Sequence, residues 1–460
     1  MNRKLSVAPC IRGCLSGGVV LALSVLSGCA AYKAAPLDPE SLSSRWQDRR
    51  ASVDSRLAQN DTISLRYDEL ERIALLLNPE LNLARLEAGV AVASAQEAGR
   101  WTDPVLSLDA LRILDPEVGQ NPRLYGAGLS FTLPLSGRLA AEKSGANARK
   151  TAALTNVWKR EQLFKQELKL SANQLTSELE KVTILTRHVE ELRAIRRVSQ
   201  QLVEAGELLS GDGALFESAF VDAELALQVQ HTHVETQRLR LASLTGLSPQ
   251  IQLDVVEEPA GEFIAMADGI GNFNQLALRN PEALQAEAEY NVAEENLRLA
   301  IREQYPDLEL GPLFEREDGQ DRLGHGVSVP LPLWNGNRRE IAERKAEREA
   351  SRSAWENSIL QAESRLFGLR VEHAAAISQY HLVSQQLVPA SEARYSKTRE
   401  LITAGELNSL LLMESLSARR DAALQLTDVR YLIQALDAEF KYLFPSEPHL
   451  QPATQKELTP

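Results

Sequence analysis

The sequence predicts a mixed α/β membrane protein made of two copies of one unit, with four short strands, two long helices and four half-length helices per chain. Three observations carry that expectation. Landmarks recur in register about two hundred residues apart, flanking helices add up to the length of the long ones, and four ten-residue segments alternate with period two. Four strands cannot close a membrane barrel, so they must be pooled between copies of the chain.

The duplication is read from three landmarks. Asn78-Pro79-Glu80 recurs as Asn280-Pro281-Glu282, 202 residues on. Leu133-Pro134-Leu135 recurs as Leu331-Pro332-Leu333, 198 residues on, and Ala205-Gly206-Glu207-Leu208 as Ala404-Gly405-Glu406-Leu407, 199 residues on. The chain accordingly divides into a leader (1–28), an N-terminal segment (29–62), a first repeat (63–247), a linker (248–271), a second repeat (272–445) and a tail (446–460).

The leader has a targeting signature. Arg3 and Lys4 precede an apolar run, residues 19–26, that is too short to span a bilayer. It ends in Leu26-Ser27-Gly28-Cys29, which resembles a bacterial lipoprotein cleavage box and implies acylation of Cys29. An ordinary secretory signal with a chance cysteine is the other reading. In the lipoprotein class, Ala30 implies outer-membrane sorting, and each buried acyl methylene adds roughly 0.8 kcal/mol of membrane affinity. Cys10 and Cys14 leave with the leader, so no disulfide framework or cysteine metal site remains. Net charge is −13, about −16 without Arg3, Lys4 and Arg12; with no basic stripe, this argues against nucleic acid. No later stretch approaches the eighteen apolar residues of a membrane helix, so any crossing must use strands.

Residues 137–206 contain no proline and favour helix throughout. Leu175, Leu179, Val182, Leu185, Val189, Leu192, Ile195, Val198 and Leu202 recur in threes and fours, a coiled-coil-like seam. Such a helix would rise roughly 105 Å. Residues 337–404 repeat it, with a kink expected at Pro389. The flanking stretches 65–101 and 214–245, and again 273–304 and 408–443, nearly match the long helices in summed length. Stacked end to end, each pair would bury a long seam that could not stand alone in water.

Strands are expected at about 104–114, 124–134, 306–315 and 324–333. Tyr125, Ala127, Leu129, Phe131 and Leu133 share one face against Gly126, Gly128, Ser130 and Thr132. Leu106, Leu108 and Ala110 oppose Ser107 and Asp109; Leu308, Leu310 and Phe314 oppose Asp307, Glu309 and Glu315; Val327, Val329 and Leu331 oppose Gly326 and Ser328. A half-buried soluble sheet alternates in the same way, so the strands alone leave both readings open. Context favours the barrel, because three copies supply twelve strands. Pro104, Pro134, Pro306 and Pro332 stand as breakers where helix meets strand.

These landmarks, with Leu133-Pro134-Leu135-Ser136-Gly137-Arg138 and Val329-Pro330-Leu331-Pro332-Leu333-Trp334-Asn335, closely resemble the TolC-type outer-membrane efflux channels over nearly all of residues 60–445. The resemblance implies a homotrimer whose twelve-stranded β-barrel continues into a twelve-helix periplasmic α-barrel. It implies an equatorial region from residues 30–62, 247–271 and the tail. It also implies a passive exit duct that docks onto a periplasmic adaptor (membrane fusion) protein and an inner-membrane pump, often of the resistance-nodulation-division type. The Pro-Leu-Pro-Leu-Trp-Asn stretch before Arg338 and Arg339 is most similar to the cation-efflux branch, against multidrug or other export.

The resemblance maps the pore-closing, adaptor-docking tip onto Gly206, Glu207 and Leu208, and onto Gly405, Glu406, Leu407 and Ser409. A glycine there suits a left-handed helix cap. Ser210-Gly211-Asp212-Gly213 adds about two residues to the first turn, which predicts a looser one. Asp212, Glu406 and Glu414 are candidate pore acids that trimerisation would arrange as rings attracting cations; solvated acids on helix ends are the plainer alternative. His231 and His233 point to different helix faces, while His188, His325, His373 and His381 are isolated, so no metal site is assigned. No serine or aspartate has a partner histidine and no glycine-rich loop follows a strand, so neither catalysis nor a cofactor is expected. One rival class remains, a lipid-anchored periplasmic coiled-coil scaffold or adaptor without a pore. It explains the helices but not the apolar strand faces.

Overall fold

In the computed structural model the described residues are 32–53, 62–112, 114, 123–247, 252–256, 273–317, 320–404, 406 and 408–445. Cys29 and the leader lie outside them, as do Gly405 and Leu407. The elements follow in the order α1 (Leu42–Val53), β1 (Thr62–Arg66), α2 (Tyr67–Leu77), α3 (Pro79–Glu97), β2 (Val105–Arg112), β3 (Arg123–Leu133), α4 (Arg138–Glu204) and α5 (Ser210–Thr245). After β4 (Gln252–Val256) come α6 (Phe273–Ala277), α7 (Pro281–Arg302), β5 (Leu308–Glu317), β6 (Gln320–Ser328), α8 (Arg338–Leu382), a π-turn (Val383–Leu387), α9 (Val388–Thr403) and α10 (Ser409–Leu443).

The helices form a wall four helices wide. α3 and α5 pack against α4, α4 packs against α7 and α10, and these pack against α8 and α9. α3 (19 residues) and α5 (36 residues) lie end to end beside the 67 residues of α4. The expected seam holds through Leu175, Leu185, Val189 and Leu192, but Ser199 turns inward in place of the exposed Val198. A four-residue step after Ile195 keeps the stripe on the packed face, and serine is small enough to fill it.

The stretches expected as single helices, 65–101 and 273–304, are broken. The residue before a proline is pushed out of the helical region, and Asn78 (ψ 123°) and Asn280 (ψ 134°) are both extended. Each break is also a splice. Asn78 Oδ1 accepts from Leu81 N–H at 2.8 Å, capping α3, while its Nδ2 donates to Leu244 O at 2.8 Å, at the end of α5. Asn280 Oδ1 accepts from Glu282 N–H at 2.9 Å, and its Nδ2 donates to Leu443 O at 3.2 Å, at the end of α10. One buried side chain thus satisfies an orphan amide of the helix that begins and an orphan carbonyl of the helix that ends. The fit is close: a Cβ on Gly246 (φ +67°) would lie 2.7 Å from Leu77 O.

Apolar clusters bed both splices. Leu65, Leu70, Ile73, Leu77, Leu168, Leu241 and Leu253 surround the first, and Ala277, Leu366, Leu369, Ile433, Leu436 and Phe444 the second. β1 pairs in parallel with β4, tying the N-terminal side of the first repeat to the segment that follows it. In the second long helix, Pro389 removes the amide that would bond to Gln385 O, and the π-turn at Val383–Leu387 absorbs the fault in place of a bare kink.

The four long strands form one antiparallel sheet in the order β2-β3-β5-β6. Within a single chain it is open, with β2 and β6 as edges. The last strand ends at Ser328, short of the expected 333, because Pro330 and Pro332 cannot donate ladder bonds; it starts earlier, at Gln320, paired with Glu317.

Asn78→Ala leaves both the Leu81 amide and the Leu244 carbonyl unmet and should cost about 2–4 kcal/mol. Asn78→Asp keeps the cap but turns a carboxylate on Leu244 O, and should also destabilise. Thermal unfolding of the detergent-solubilised protein, followed at 222 nm, checks both; a neutral Asn78→Asp would show that capping alone matters.

Candidate channel wall and tips

The register of the sheet sorts its side chains into two chemistries. One side carries Leu106, Leu108, Ala127, Leu129, Phe131, Leu133, Leu308, Leu310, Phe314, Leu323 and Val327. The other carries Ser107, Asp109, Gly126, Gly128, Ser130, Thr132, Glu309, Glu315 and Ser328, with Val105, Leu111, Leu124 and Leu313 among them. Along β3 the apolar side is the more exposed one, and Leu108 and Leu323 are 74% and 79% exposed. This inverts what water demands of a sheet.

The two edges of the helical wall are apolar as well. Leu83, Leu86 and Val90 on α3 and Val221, Leu225 and Val229 on α5 are exposed at helical spacing. Leu360, Phe367 and Val371 on α8 are exposed on the other edge. Between the repeats, by contrast, the wall is crossed by ion pairs: Arg138–Asp307 at 3.1 Å, Lys159–Glu282 at 2.8 Å, Lys181–Asp428 at 2.8 Å and Arg430–Glu180 at 2.7 Å.

Further along this seam, Arg419 of α10 binds Glu191 of α4 and lies 3.9 Å over the Tyr395 ring of α9. Its neighbour Arg420 places Nη1 3.3 Å from His188 Nε2. His188 is 4% exposed. Burial first, then the Arg420 and Arg419 charges, push its pKa down to about 4, so it is a neutral acceptor. His373 is buried too, with Nε2 3.1 Å from Asp437 Oδ1 on α10. Burial raises the Asp437 carboxyl, opposed by His373. Nothing in the sequence marked the Arg419–His188 cluster, because its members lie more than two hundred residues apart.

Both expected tips are helix-end turns of one design. Gly206 (φ +74°) donates to Val203 O at 3.0 Å and Glu207 to Leu202 O at 2.8 Å, a Schellman cap. Glu406 N–H likewise donates to Leu401 O at 3.0 Å. The connections span residues 205–209 and 404–408, equal in length, so the first is not looser than the second. Ser210 to Gly213 are taken into the first turn of α5, where a Cβ on Gly213 would meet Val203 Cγ2 at 2.9 Å. Asp212 sits in that first turn, favoured by the helix dipole. Glu406 lines a cavity of about 230 Å³ with Thr398, Leu401, Ile402, Asn408 and Leu411, and Ser409 is buried at the start of α10. Glu414 stands further up α10, 2.8 Å from Arg394. The structure therefore groups Gly206, Glu207, Leu208 and Asp212 in one turn and Glu406 and Ser409 in the other, with Glu414 apart. Among the described residues no group of His, Cys, Asp and Glu could hold a metal, and no helix is long and apolar enough to cross a membrane.

No protein-family profile and no curated protein sequence matches the chain. Its fold is that of known outer-membrane channels. A membrane protein from Pseudomonas aeruginosa superposes with a TM-score of 0.71 at 16% identity, covering 90% of this chain and 96% of that one. The outer membrane protein VceC from Vibrio cholerae gives 0.69 at 15% identity, covering 86% and 97%. The CmeC outer membrane channel of Campylobacter jejuni gives 0.68 at 14% identity, covering 91% and 90%. The likeness to TolC-type channels expected from the repeats is borne out in the fold.

His188 has a depressed pKa, so the unfolded chain binds the extra proton between about pH 6.5 and pH 4 and stability falls as pH drops through that window. The loss should approach about 3 kcal/mol per chain. His188→Gln keeps an acceptor for Arg420 without titrating. Unfolding midpoints recorded from pH 7 to pH 4 should slope less in the variant than in the wild type.

Proposed function

We propose that the chain is the outer-membrane channel of a tripartite efflux system, a passive, non-enzymatic exit duct. The observation that carries this reading is a sheet whose apolar side is exposed, continuous with a helical wall about 100 Å long. A soluble scaffold would have to leave that apolar side in water.

The edges support a closed assembly. β2 and β6 run in opposite directions, so β6 of one copy can pair antiparallel with β2 of the next. Three copies would close a twelve-stranded barrel above a twelve-helix tunnel and cover the apolar edges on α3, α5 and α8. The anchor is an acylated Cys29, and the two tip turns are the docking points for a periplasmic adaptor, which delivers substrate from an inner-membrane pump of the resistance-nodulation-division type. The tip acids Asp212 and Glu406, ringed by trimerisation, favour cations, in keeping with a heavy-metal substrate.

Two measurements test this. With Cys29→Ala and a cleavable leader, the protein should still need detergent for extraction and should run as a trimer; a soluble monomer would sink the channel. In planar bilayers, Asp212→Ala and Glu406→Ala should lower cation selectivity, and unchanged reversal potentials would remove the acids from the pore.

A further inference from the structure

The junctions that lead from strand to long helix are turned by glycine in both repeats, but the residue before the glycine differs. In the first, Gly137 (φ +76°) precedes α4, and Ser136 Oγ accepts from Arg138 N–H at 3.2 Å. In the second, Gly336 (φ +47°) and Asn337 (φ 54°) precede α8, and Asn335 stands before them. Arg338 N–H donates to Asn335 O at 3.0 Å, closing a turn whose two central residues are both left-handed. Glycine and asparagine take up that conformation at least cost. Asn337 is also tied down, since its Nδ2 donates to Ala300 O at 2.9 Å, near the end of α7.

The turn therefore calls for glycine at 336, and the chain places an asparagine before it. Asn335-Gly336 is the one Asn-Gly pair in the sequence. A backbone nitrogen can attack the side-chain amide carbon of the asparagine that precedes it, and glycine has no side chain to obstruct the approach. Three observations leave that step open at this turn. Asn335 is exposed, and among the described residues its side-chain amide has no hydrogen-bond partner. The Gly336 N–H donates to no backbone carbonyl among them. A Cβ on Gly336 would meet nothing within 4 Å, so no neighbour crowds the turn there. Other asparagines are guarded. Asn78 and Asn280 precede prolines, whose nitrogen has no hydrogen to give up, and Asn408 Oδ1 is held by Leu411 N–H at 3.0 Å.

We propose that Asn335 is a site of spontaneous deamidation. The Gly336 nitrogen attacks Asn335 Cγ, the Cγ–Nδ2 bond breaks, and ammonia leaves with the proton that the nitrogen gives up. Water then opens the cyclic imide, so an amide and a water become a carboxylate and ammonia. Water adding at Cγ leaves aspartate at 335 in an unchanged backbone. Water adding at the main-chain carbon gives isoaspartate. The chain then runs through Cβ and Cγ, a methylene longer, and the oxygen that Arg338 N–H now holds belongs to a free carboxylate. Either product sets a negative charge just ahead of α8, where the helix dipole favours it. Ser136 has no amide to lose, so the two junctions age differently.

The detergent-solubilised protein would be incubated at mildly acidic and at mildly alkaline pH, digested, and read by peptide mass spectrometry. Isoaspartate would be marked with an isoaspartate methyltransferase and a labelled methyl donor. Asn335 should convert, faster at alkaline pH because the attacking nitrogen must give up its proton, while Asn337 keeps its amide. Asn335→Ser, which copies the first repeat, should lose both the mass gain and the methyl label in this segment. Asn335→Gln, whose longer arm closes a ring far less readily, should lose most of both. No conversion at Asn335 would overturn the proposal, and a peptide of residues 331–340 that converts beside it would show that the folded turn shields the amide. Equal conversion at Asn335 and Asn337 would overturn it too, because the turn would then select neither.

Discussion

The wall stands because two asparagine side chains each join a helix that ends to a helix that begins. A helix of 67 residues needs a packed face along its whole length, yet the chain enters and leaves the partner column midway, by way of β1 and β4. The partner is therefore made of two pieces that are distant in sequence, and the joint exposes orphan carbonyls on one side and orphan amides on the other. Asn78 and Asn280 answer both with one amide each, and the helix dipoles there meet head to tail. The height of the sheet above the tips follows from these two joints.

Duplication repeats this solution but does not make all seams alike. Inside one chain the repeats meet through partly exposed ion pairs, each worth about 0–1 kcal/mol, and through a buried cluster in which Leu416 packs with Val189, Leu192 and Phe220. At the outer edges Leu83, Leu86, Val90, Val221, Leu225 and Val229 stand uncovered. Covering one such side chain fully contributes about 1.5–3 kcal/mol, so the edges call for a partner.

Much of the fold was legible because it rests on period and length: the four strands, the two long helices and their half-length companions follow from alternation and the 3.6-residue stripe. What was not legible depends on contacts far apart in sequence. Asn78 and Asn280 were visible as repeat landmarks, but a motif does not say that its amide reaches Leu244 or Leu443. The π-turn absorbs the amide missing at Pro389 where a kink was expected, and Gly213 joins α5 with Val203 of α4 close against it. The resemblance marked the expected tip turns, and glycine suited the first of them, since a left-handed cap favours it at Gly206. The sequence does not show that Arg394 stands beside the candidate acid Glu414.

The two halves of the molecule expose different chemistry, and the channel reading makes the boundary between them a change of solvent. Along the helices the uncovered apolar residues lie at the edges, whereas across the sheet they cover most of one side. The reversal falls at the Pro-bounded junctions, where Pro104, Pro134, Pro306, Pro330 and Pro332 end one hydrogen-bonding pattern before the next begins. There Trp101, Tyr305 and Trp334 are exposed, Trp334 by 89%. A side chain with an apolar body and a polar tip is misplaced in water and in hydrocarbon alike, and is suited to the layer between them. Trp101 and Tyr305 precede β2 and β5, and Trp334 follows β6, so these exposed aromatic side chains gather at the end of the sheet joined to the helices, where the channel reading proposed above would set the membrane interface.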